Sequence, residues 1–388
     1  MAKCAICKGT DREIVQTQSL ALLNRSDPCL IHFSVCRSCG HLQQWPPVQP
    51  ELMEHHYRTF ATYELFDEAQ ALRAAPPSRH ARRFLSLARD LELKPGSAYE
   101  VGSASGEMLH HFRQQGWRVS GCDPSPSAVK QAKSIFDIDI DLGTEEGLLP
   151  QKKNLNLMLA CHVLEHLYDP VSTLDRLNAC LEPGGHLLLE VPCATAPDVL
   201  LPGWFSFEHL HYYRVEILEH LLTRTGFEIA EMRIAITAHH YPVIAIAARK
   251  ATKAVAPRTR TDAAASIDMA RRYVERDSQL WQKTERRLSN LHGPVFIYGA
   301  GIHTAQLLDH TDFARQVDII AIADRDPKKW GQKLAGIPVI GPDELFRHPQ
   351  RVPVVVSSYV SERAIVNALL AGGVAPSRIR PIYSEDPN

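Results

Sequence analysis

Two carboxylates bracket a glycine-pinned turn in Ser97-Ala-Tyr-Glu100-Val-Gly102-Ser103-Ala-Ser-Gly106-Glu-Met-Leu, answered by Gly121-Cys-Asp123-Pro-Ser. An apolar strand ending in an acid, a turn, a helix and a second strand closing on another acid make the first βαβ step of a nucleoside-binding sheet. In a dinucleotide fold the first turn approaches a pyrophosphate and carries GxGxxG. Here the glycine spacing is GxxxG. A carboxylate at Glu100, just before the turn, suits a ligand with an ammonium and a sulfonium group rather than phosphates. Asp123 is placed to accept both hydroxyls of a ribose, and Gly102, Ser103 and Gly106 form the turn beside it. The pattern points to S-adenosylmethionine, with a generic Rossmann-like nucleotide turn as the alternative.

A second constellation suits a metal. Cys4-Ala-Ile-Cys7 and Cys36-Arg-Ser-Cys39-Gly40 are separated by 28 residues, and each pair makes a tight turn that can aim two thiolates at one ion. Four sulfurs in a closed tetrahedron satisfy Zn²⁺ and leave no position for water, which makes the expected site structural. Metal binding would supply folding energy to a segment too short for a core of its own. A redox dithiol is the competing reading of a single CxxC; two pairs with a following glycine favour zinc. Cys29 and His32, between the pairs, are read as ordinary residues because four cysteines saturate the ion.

Leu157-Met-Leu-Ala-Cys161 runs into His162-Val-Leu-Glu165-His166-Leu-Tyr-Asp169-Pro170. Cofactors sit beyond the carboxyl ends of the strands in such sheets, so His162 is expected to border the cofactor. The i, i+4 pair His162 and His166 lacks the HExxH order of a zinc hydrolase, and Glu165 and His166 are read as helix surface and packing. Leu181-Glu-Pro183-Gly184-Gly185 is a turn that leads into the next strand.

The elements that must position these residues follow from length and pattern. The chain has 388 residues, 45% hydrophobic residues and a net charge of −1, enough for two or three domains and without the basic surplus of a nucleic-acid binder. MAKCAICKGT lacks a signal-peptide core, and no lipid-length apolar run occurs, which reads as a cytoplasmic protein without a membrane partner. Nine cysteines, an odd total, favour thiols and a metal over disulfides. Residues 1–50 are expected to form the zinc module, 51–92 a helical linker, 93–250 the core sheet with its helices, 251–292 a helical connector and 293–388 a further α/β domain. Strands are expected at 97–101, 118–123, 155–161, 185–191, 227–235 and 241–248. The last two have no long helix between them and are expected to pair antiparallel at the sheet edge.

The knuckle, the ExGxxxG turn with Asp123, HVLEHLYDP and LEPGG resemble a class I S-adenosylmethionine-dependent methyltransferase. With the further C-terminal domain, the chain is similar to the bacterial C-methyltransferases that act on nucleotide-linked deoxyhexoses. The resemblance implies an α/β fold: a Rossmann-like methyltransferase core, an N-terminal zinc knuckle and a second C-terminal Rossmann-like domain, together clasping a nucleotide sugar. It also implies a Glu-His pair after the fifth strand as the catalytic base, which falls on His209 with Glu208 orienting it. Carbon methylation beside a ketone needs a proton removed to give an enolate, and a histidine suits that task. Oxygen methylation could use the same base. The family has a tyrosine three positions before the histidine, where this chain has Ser206. The family's other tyrosine has Tyr57 and Tyr63 as candidates, and His211 and Tyr212 are further candidates to contact the substrate.

Val295-Phe-Ile-Tyr298-Gly299-Ala-Gly301-Ile-His303-Thr304 repeats the strand, turn and helix grammar, and Ile319-Ile-Ala-Ile-Ala-Asp324 ends in an acid. A nicotinamide site is the rival reading. Thr304 in place of the third glycine, and a continuation resembling nucleotide-sugar-binding domains, favour a turn that offers N–H groups and His303 to a diphosphate or sugar. Methyl transfer to a nucleotide-linked sugar is therefore the leading expectation. O- or N-methylation of another small molecule is the enzymatic alternative, and a non-catalytic zinc- and cofactor-binding scaffold the alternative of another class. Substrate identity, methylated atom and oligomeric state are not legible in the sequence.

Overall fold

The computed structural model describes residues 3–59, 73–195, 200, 202–236, 241–253, 261–348, 351–359 and 361–384, with the side chains of 55–59 left out. Tyr63 and the side chain of Tyr57 lie outside the described residues. The chain divides into two compact units. One comprises Met1–Glu13, Val35–Val199 and Glu208–Asp268; the other comprises Ile14–Ser34, Leu200–Phe207 and Met269–Asn388. The segment read as one zinc module is thus shared out: its two CxxC turns fall in the first unit and the chain between them mostly in the second.

In chain order the strands are β1 (Arg12–Leu20), β2 (Cys29–Cys36), β3 (Leu42–Gln44), β4 (Ser97–Val101), β5 (Arg118–Asp123), β6 (Ile140–Leu142), β7 (Leu155–Cys161), β8 (Leu181–Pro192), β9 (His211–Tyr212), β10 (Phe227–Ala235) and β11 (Val243–Lys250). The first unit is built on a seven-stranded sheet of order β10-β11-β8-β7-β4-β5-β6. Its interior strands pair in parallel, whereas β11 runs antiparallel to both β8 and β10. The expected edge pair is present, with β11 two residues later than the sequence placed it. The physical reason for the reversal is chain length: only seven residues separate β10 from β11, too few for a crossover helix.

Helices cover both faces. The helix Arg79–Asp90 begins at an N-cap serine, Ser78, whose side chain accepts from the Ala81 N–H. It buries Ala81, Phe84, Leu87 and Ala88 in a core shared with Leu109, Phe112, Leu157 and Leu159. The opposite core joins Val101, Met158, Leu187 and Leu189 to Leu218 and Leu221, and it also takes in Cys4, Ile6, Cys36, Cys39 and Trp45. The cysteine turns are therefore set into the sheet's own apolar core and do not form a free-standing module.

The second unit contains β12 (Gly293–Tyr298), β13 (Val317–Ala323), β14 (Lys333–Leu334), β15 (Ile337–Ile340), β16 (Val354–Val356) and β17 (Ile379–Pro381), in the order β14-β15-β13-β12-β16-β17. All pairs except β14 with β15 are parallel. The helix Ala263–Leu288 precedes this sheet. No described helix is long and apolar enough to cross a membrane.

Candidate functional site

β4 ends at Val101, and the turn that follows is set by close approach. Gly102 has φ +68°, and a Cβ there would stand 2.5 Å from Val163 Cγ2. On the neighbouring strand, a Cβ at Gly121 would meet Ser103 Oγ at 2.1 Å and the Glu100 carbonyl at 2.7 Å. Both glycines let the turn fold back on the sheet. Ser103 is buried and its hydroxyl donates to the Glu100 carbonyl at 2.9 Å, so it fixes the turn from inside.

The two acids are where the sequence placed them, at the carboxyl ends of adjacent parallel strands. Asp123 accepts the Ala104 N–H on Oδ2 (2.9 Å) and the Ser125 N–H on Oδ1 (2.8 Å). A carboxylate oxygen has two lone pairs, which leaves one on each oxygen for a pair of hydroxyls. Glu100 Oε2 is buried without a hydrogen-bond partner. Burial, and then the charges of Glu107 and Asp123, push the Glu100 carboxyl well above its ordinary range. An orphaned buried acid next to a glycine turn fits a ligand that brings a cation or hydroxyl donors.

Beyond β7, His162 takes the left-handed backbone conformation, φ +54°, which is unusual for a side chain of its size. Its Nε2 lies 3.0 Å from Glu190 Oε1 and its Nδ1 lies 3.2 Å from Glu165 Oε1. Burial alone would lower the His162 pKa, yet the two carboxylates outweigh it and carry it up to about 9. Burial likewise opposes ionisation of Glu165, but the contacts with His162 and His166 bring it down to about 2. Glu190 is held ionised by Arg83, whose Nε donates at 2.5 Å and Nη2 at 2.6 Å, and by His80 Nδ1 at 2.5 Å. Glu165 is fully buried. Its reading as helix surface is thereby corrected: Leu164–His166 is a single 3₁₀ turn that drives the carboxylate inward.

The sequence reading did not identify His80, Arg83 and Glu190. Glu190 sits within the apolar run of β8, Leu187-Leu-Leu-Glu190-Val, where a charge in a buried strand was the one available signal. His80, Cys161, His162 and Glu190 are close enough to hold a metal ion. The bidentate Arg83 already supplies the positive charge there.

The segment 208–211 lies alongside the 164–167 turn. His166 Nδ1 donates to the Glu208 carbonyl (3.0 Å), the Leu210 N–H donates to the Glu165 carbonyl (2.8 Å), and His211 Nε2 donates to the Leu167 carbonyl (2.9 Å). From the other side, Gln44 Nε2 donates to the His209 carbonyl at 3.0 Å. His209 thus has its backbone clamped while its ring rests edge-on against His166, centroids 4.9 Å apart. Burial, and then His166, lower the His209 pKa to about 4, against the opposing pull of Glu165 and Glu208. The imidazole is therefore unprotonated at neutral pH, although weaker as a base than the near-neutral histidine expected.

His211 and Tyr212 were candidates to meet the substrate. His211 spends both ring nitrogens inside the fold, donating from Nε2 and accepting from His41 Nε2 at 2.9 Å on Nδ1, and Tyr212 is 1% exposed within the β3–β9 pair. In the second unit, His303 is likewise engaged on both nitrogens, with Ser357 Oγ at 2.9 Å and Tyr383 Oη at 2.6 Å.

The four predicted metal ligands do converge. Cys4, Cys7, Cys36 and Cys39 place their sulfurs within 4.8 Å of one another, with Cys4–Cys39 at 3.7 Å and Cys7–Cys36 at 3.5 Å. A Zn–S bond of about 2.3 Å implies tetrahedral edges of about 3.8 Å, so the donor set fits such an ion. Hydrogen bonds from Cys39 and Cys4 hold Cys36 well below the ordinary thiol range. Cys29 and His32 are not part of the cluster. Gly40 closes the second turn with φ +77°, where a Cβ would meet Ser266 Oγ at 2.8 Å.

A methyltransferase-domain family model matches residues 66–232, and a CoA-binding-domain model matches residues 291–376. Among curated relatives, C-methyltransferase NovU of Streptomyces niveus is 25% identical over 210 residues, covering 52% of this chain and 47% of the relative. Ubiquinone biosynthesis O-methyltransferase of Nitrobacter winogradskyi is 31% identical over 132 residues, covering 32% of this chain and 47% of the relative. The chain spans about half the length of the curated relatives it matches. A solved 1,6-didemethyltoxoflavin-N1-methyltransferase from Burkholderia thailandensis is 16% identical with a TM-score of 0.42, covering 57% of this chain and 95% of that one. The sheet with its antiparallel edge strand, the acids beside the glycine turn and the match over 66–232 together make this part of the chain a class I S-adenosylmethionine-dependent methyltransferase domain, followed by a second Rossmann-like domain of the CoA-binding type.

Proposed function

We propose that the chain transfers a methyl group from S-adenosylmethionine to a nucleotide-linked sugar or related polar metabolite, at carbon, through an enolate. The observation that carries the cofactor reading is the cradle at the ends of β4 and β5. Glu100, orphaned and buried, faces the cationic part of the ligand, and Asp123 keeps one lone pair per oxygen for the ribose hydroxyls. Gly102 and Gly106 give the ligand backbone-level access, Ser103 supports the turn, and His162 borders the site.

His209 is the proposed base, with Glu208 beside it. An unprotonated imidazole on a clamped backbone is suited to take the α-proton of a ketone and leave an enolate carbon as nucleophile. The sulfonium methyl, when the cofactor is bound, is the electrophile. The second Rossmann-like domain contributes to substrate binding, and a structural zinc sits on Cys4, Cys7, Cys36 and Cys39. The C-methyltransferase relative supports transfer to carbon. The O-methyltransferase relatives favour, as a second reading, transfer to a hydroxyl with the same histidine as base.

The test is to incubate purified protein with methyl-labelled S-adenosylmethionine and a panel of nucleotide-linked keto-sugars, then locate the label by NMR. A new C–CH₃ on the sugar is the expected product. A methoxy product selects the second reading, and cofactor binding without transfer to any acceptor supports a non-catalytic scaffold.

A further inference from the structure

Three hydrogen bonds tie the Leu164–His166 turn and the residue that follows it to residues 208–211. A carbonyl only accepts, so His166 Nδ1 bears a hydrogen toward Glu208, and His166 Nε2 lies 3.8 Å from Glu165 Oε1. The Glu165 carboxylate is 0% exposed, and neither oxygen accepts a hydrogen bond of good geometry. A Glu165 oxygen, a His166 nitrogen and a His209 nitrogen lie within 4.8 Å of one another. Glu208 is half-buried, and its main-chain carbonyl accepts from His166.

We propose that Glu165 is the positioning carboxylate of this site, fixing the ring orientation and tautomer of His209 through His166, the role that the family resemblance assigns to Glu208. The proposal rests on reading His209 as the base. A buried carboxylate next to two imidazoles packed edge-to-face sets which ring nitrogen holds the proton and favours the imidazolium formed when the base has done its work. Among the described residues, the charged and titratable groups facing His209 include Glu165, Glu208, His162, His166 and Tyr212, and of the two carboxylates only Glu165 is fully buried. His162 Nδ1 approaches the same oxygen, Glu165 Oε1, at 3.2 Å.

The experiment uses the full chain labelled with ¹⁵N-histidine, the His209 ring signals being assigned by their loss in His209→Asn. At neutral pH, Glu165→Gln is expected to move the His209 ring-nitrogen shifts toward the other tautomer, while Glu208→Gln leaves them in place. With a working acceptor, Glu165→Gln lowers kcat by about 10–100-fold and leaves the cofactor KM within about threefold, the signature of an effect on the chemical step. Glu165→Asp recovers part of kcat and replaces the Gln variant if that one does not fold. Unchanged His209 shifts in the Glu165 variants, a shift seen only in Glu208→Gln, or a loss confined to KM overturns the proposal. So does stoichiometric uptake of a divalent cation by His166 and His209. A wild-type chain that methylates nothing in the panel defeats the base reading separately, because the ring shifts are read without turnover.

Discussion

Asp123 and Asp324 hold the same place in two different sheets. Each lies at the carboxyl end of the strand beside the glycine turn, and each accepts one N–H from that turn, from Ala104 at 2.9 Å and from Ala300 at 2.7 Å. Each accepts a second N–H from two residues further on, Ser125 at 2.8 Å and Asp326 at 2.9 Å. The difference is charge: Lys329 Nζ sits 3.1 Å from Asp324, whereas among the described residues Asp123 has no ion pair. Asp324 is thus paired with a lysine, whereas Asp123, whose carboxyl burial pushes up, is left open to a ligand's hydroxyls.

Asp123→Ala is accordingly expected to weaken S-adenosylmethionine binding by about 2–4 kcal/mol, the loss of charged hydrogen bonds to two hydroxyls. Because the same carboxylate satisfies two backbone N–H groups, the melting temperature falls as well. Calorimetry and a thermal scan read both, and unchanged affinity moves the cofactor site elsewhere.

Glu100 makes cofactor binding proton-linked. Burial and the neighbouring acids raise its pKa in the free protein. A cationic ligand favours the ionised form, so binding expels a proton and affinity rises with pH until the free carboxyl is itself ionised. Titrations in two buffers of different ionisation enthalpy should differ in apparent binding enthalpy. A buffer-independent enthalpy contradicts the linkage.

His209→Asn is expected to leave cofactor affinity intact and lower turnover by about 10²–10⁴-fold, the usual contribution of a general base. A base works when unprotonated, and burial brings the His209 pKa down to about 4. The kcat/KM profile should therefore be flat through neutrality and fall only as pH drops toward that value. Wild-type turnover in the Asn variant assigns the ring a structural role.

His162 predicts an alkaline loss of stability. Its folded pKa of about 9 stands above the 6.5 of an unperturbed histidine. The stabilisation is thus complete below the lower value and disappears as pH rises through the higher one. The shift corresponds to at most about 3 kcal/mol, shared with Glu165 and Glu190. Urea unfolding at pH 6.5 and 9.5 should show this loss in the wild type and much less of it in His162→Gln.

Elemental analysis of freshly prepared protein should return one zinc per chain, and Cys36→Ser should remove it and lower the melting temperature. A folded protein without stoichiometric metal defeats this assignment.

The residues legible in the sequence were those whose signal is local. β4, β5, β7 and β10 were placed at their observed bounds, because each is a run ended by a turn or an acid. The cysteines announced themselves by spacing. Glu190 did not, since its partners Arg83 and His80 lie 107 and 110 residues earlier, in a stretch read only as a helical linker. The clamp between 164–167 and 208–211 was hidden for the same reason: His166 and His211 reach main-chain carbonyls about 40 residues away in sequence, and those acceptors leave no residue-type signature.

The inclusion of Cys4, Ile6, Cys36 and Trp45 in the core that holds Leu187, Leu218 and Leu221 bears on how the chain can be cut. A fragment starting after residue 50 would keep every residue of the cofactor cradle and still lay bare one apolar face of its sheet. The methyltransferase domain is therefore not separable at the boundary its motifs suggest. Its smallest self-sufficient form includes the N-terminal cysteine turns.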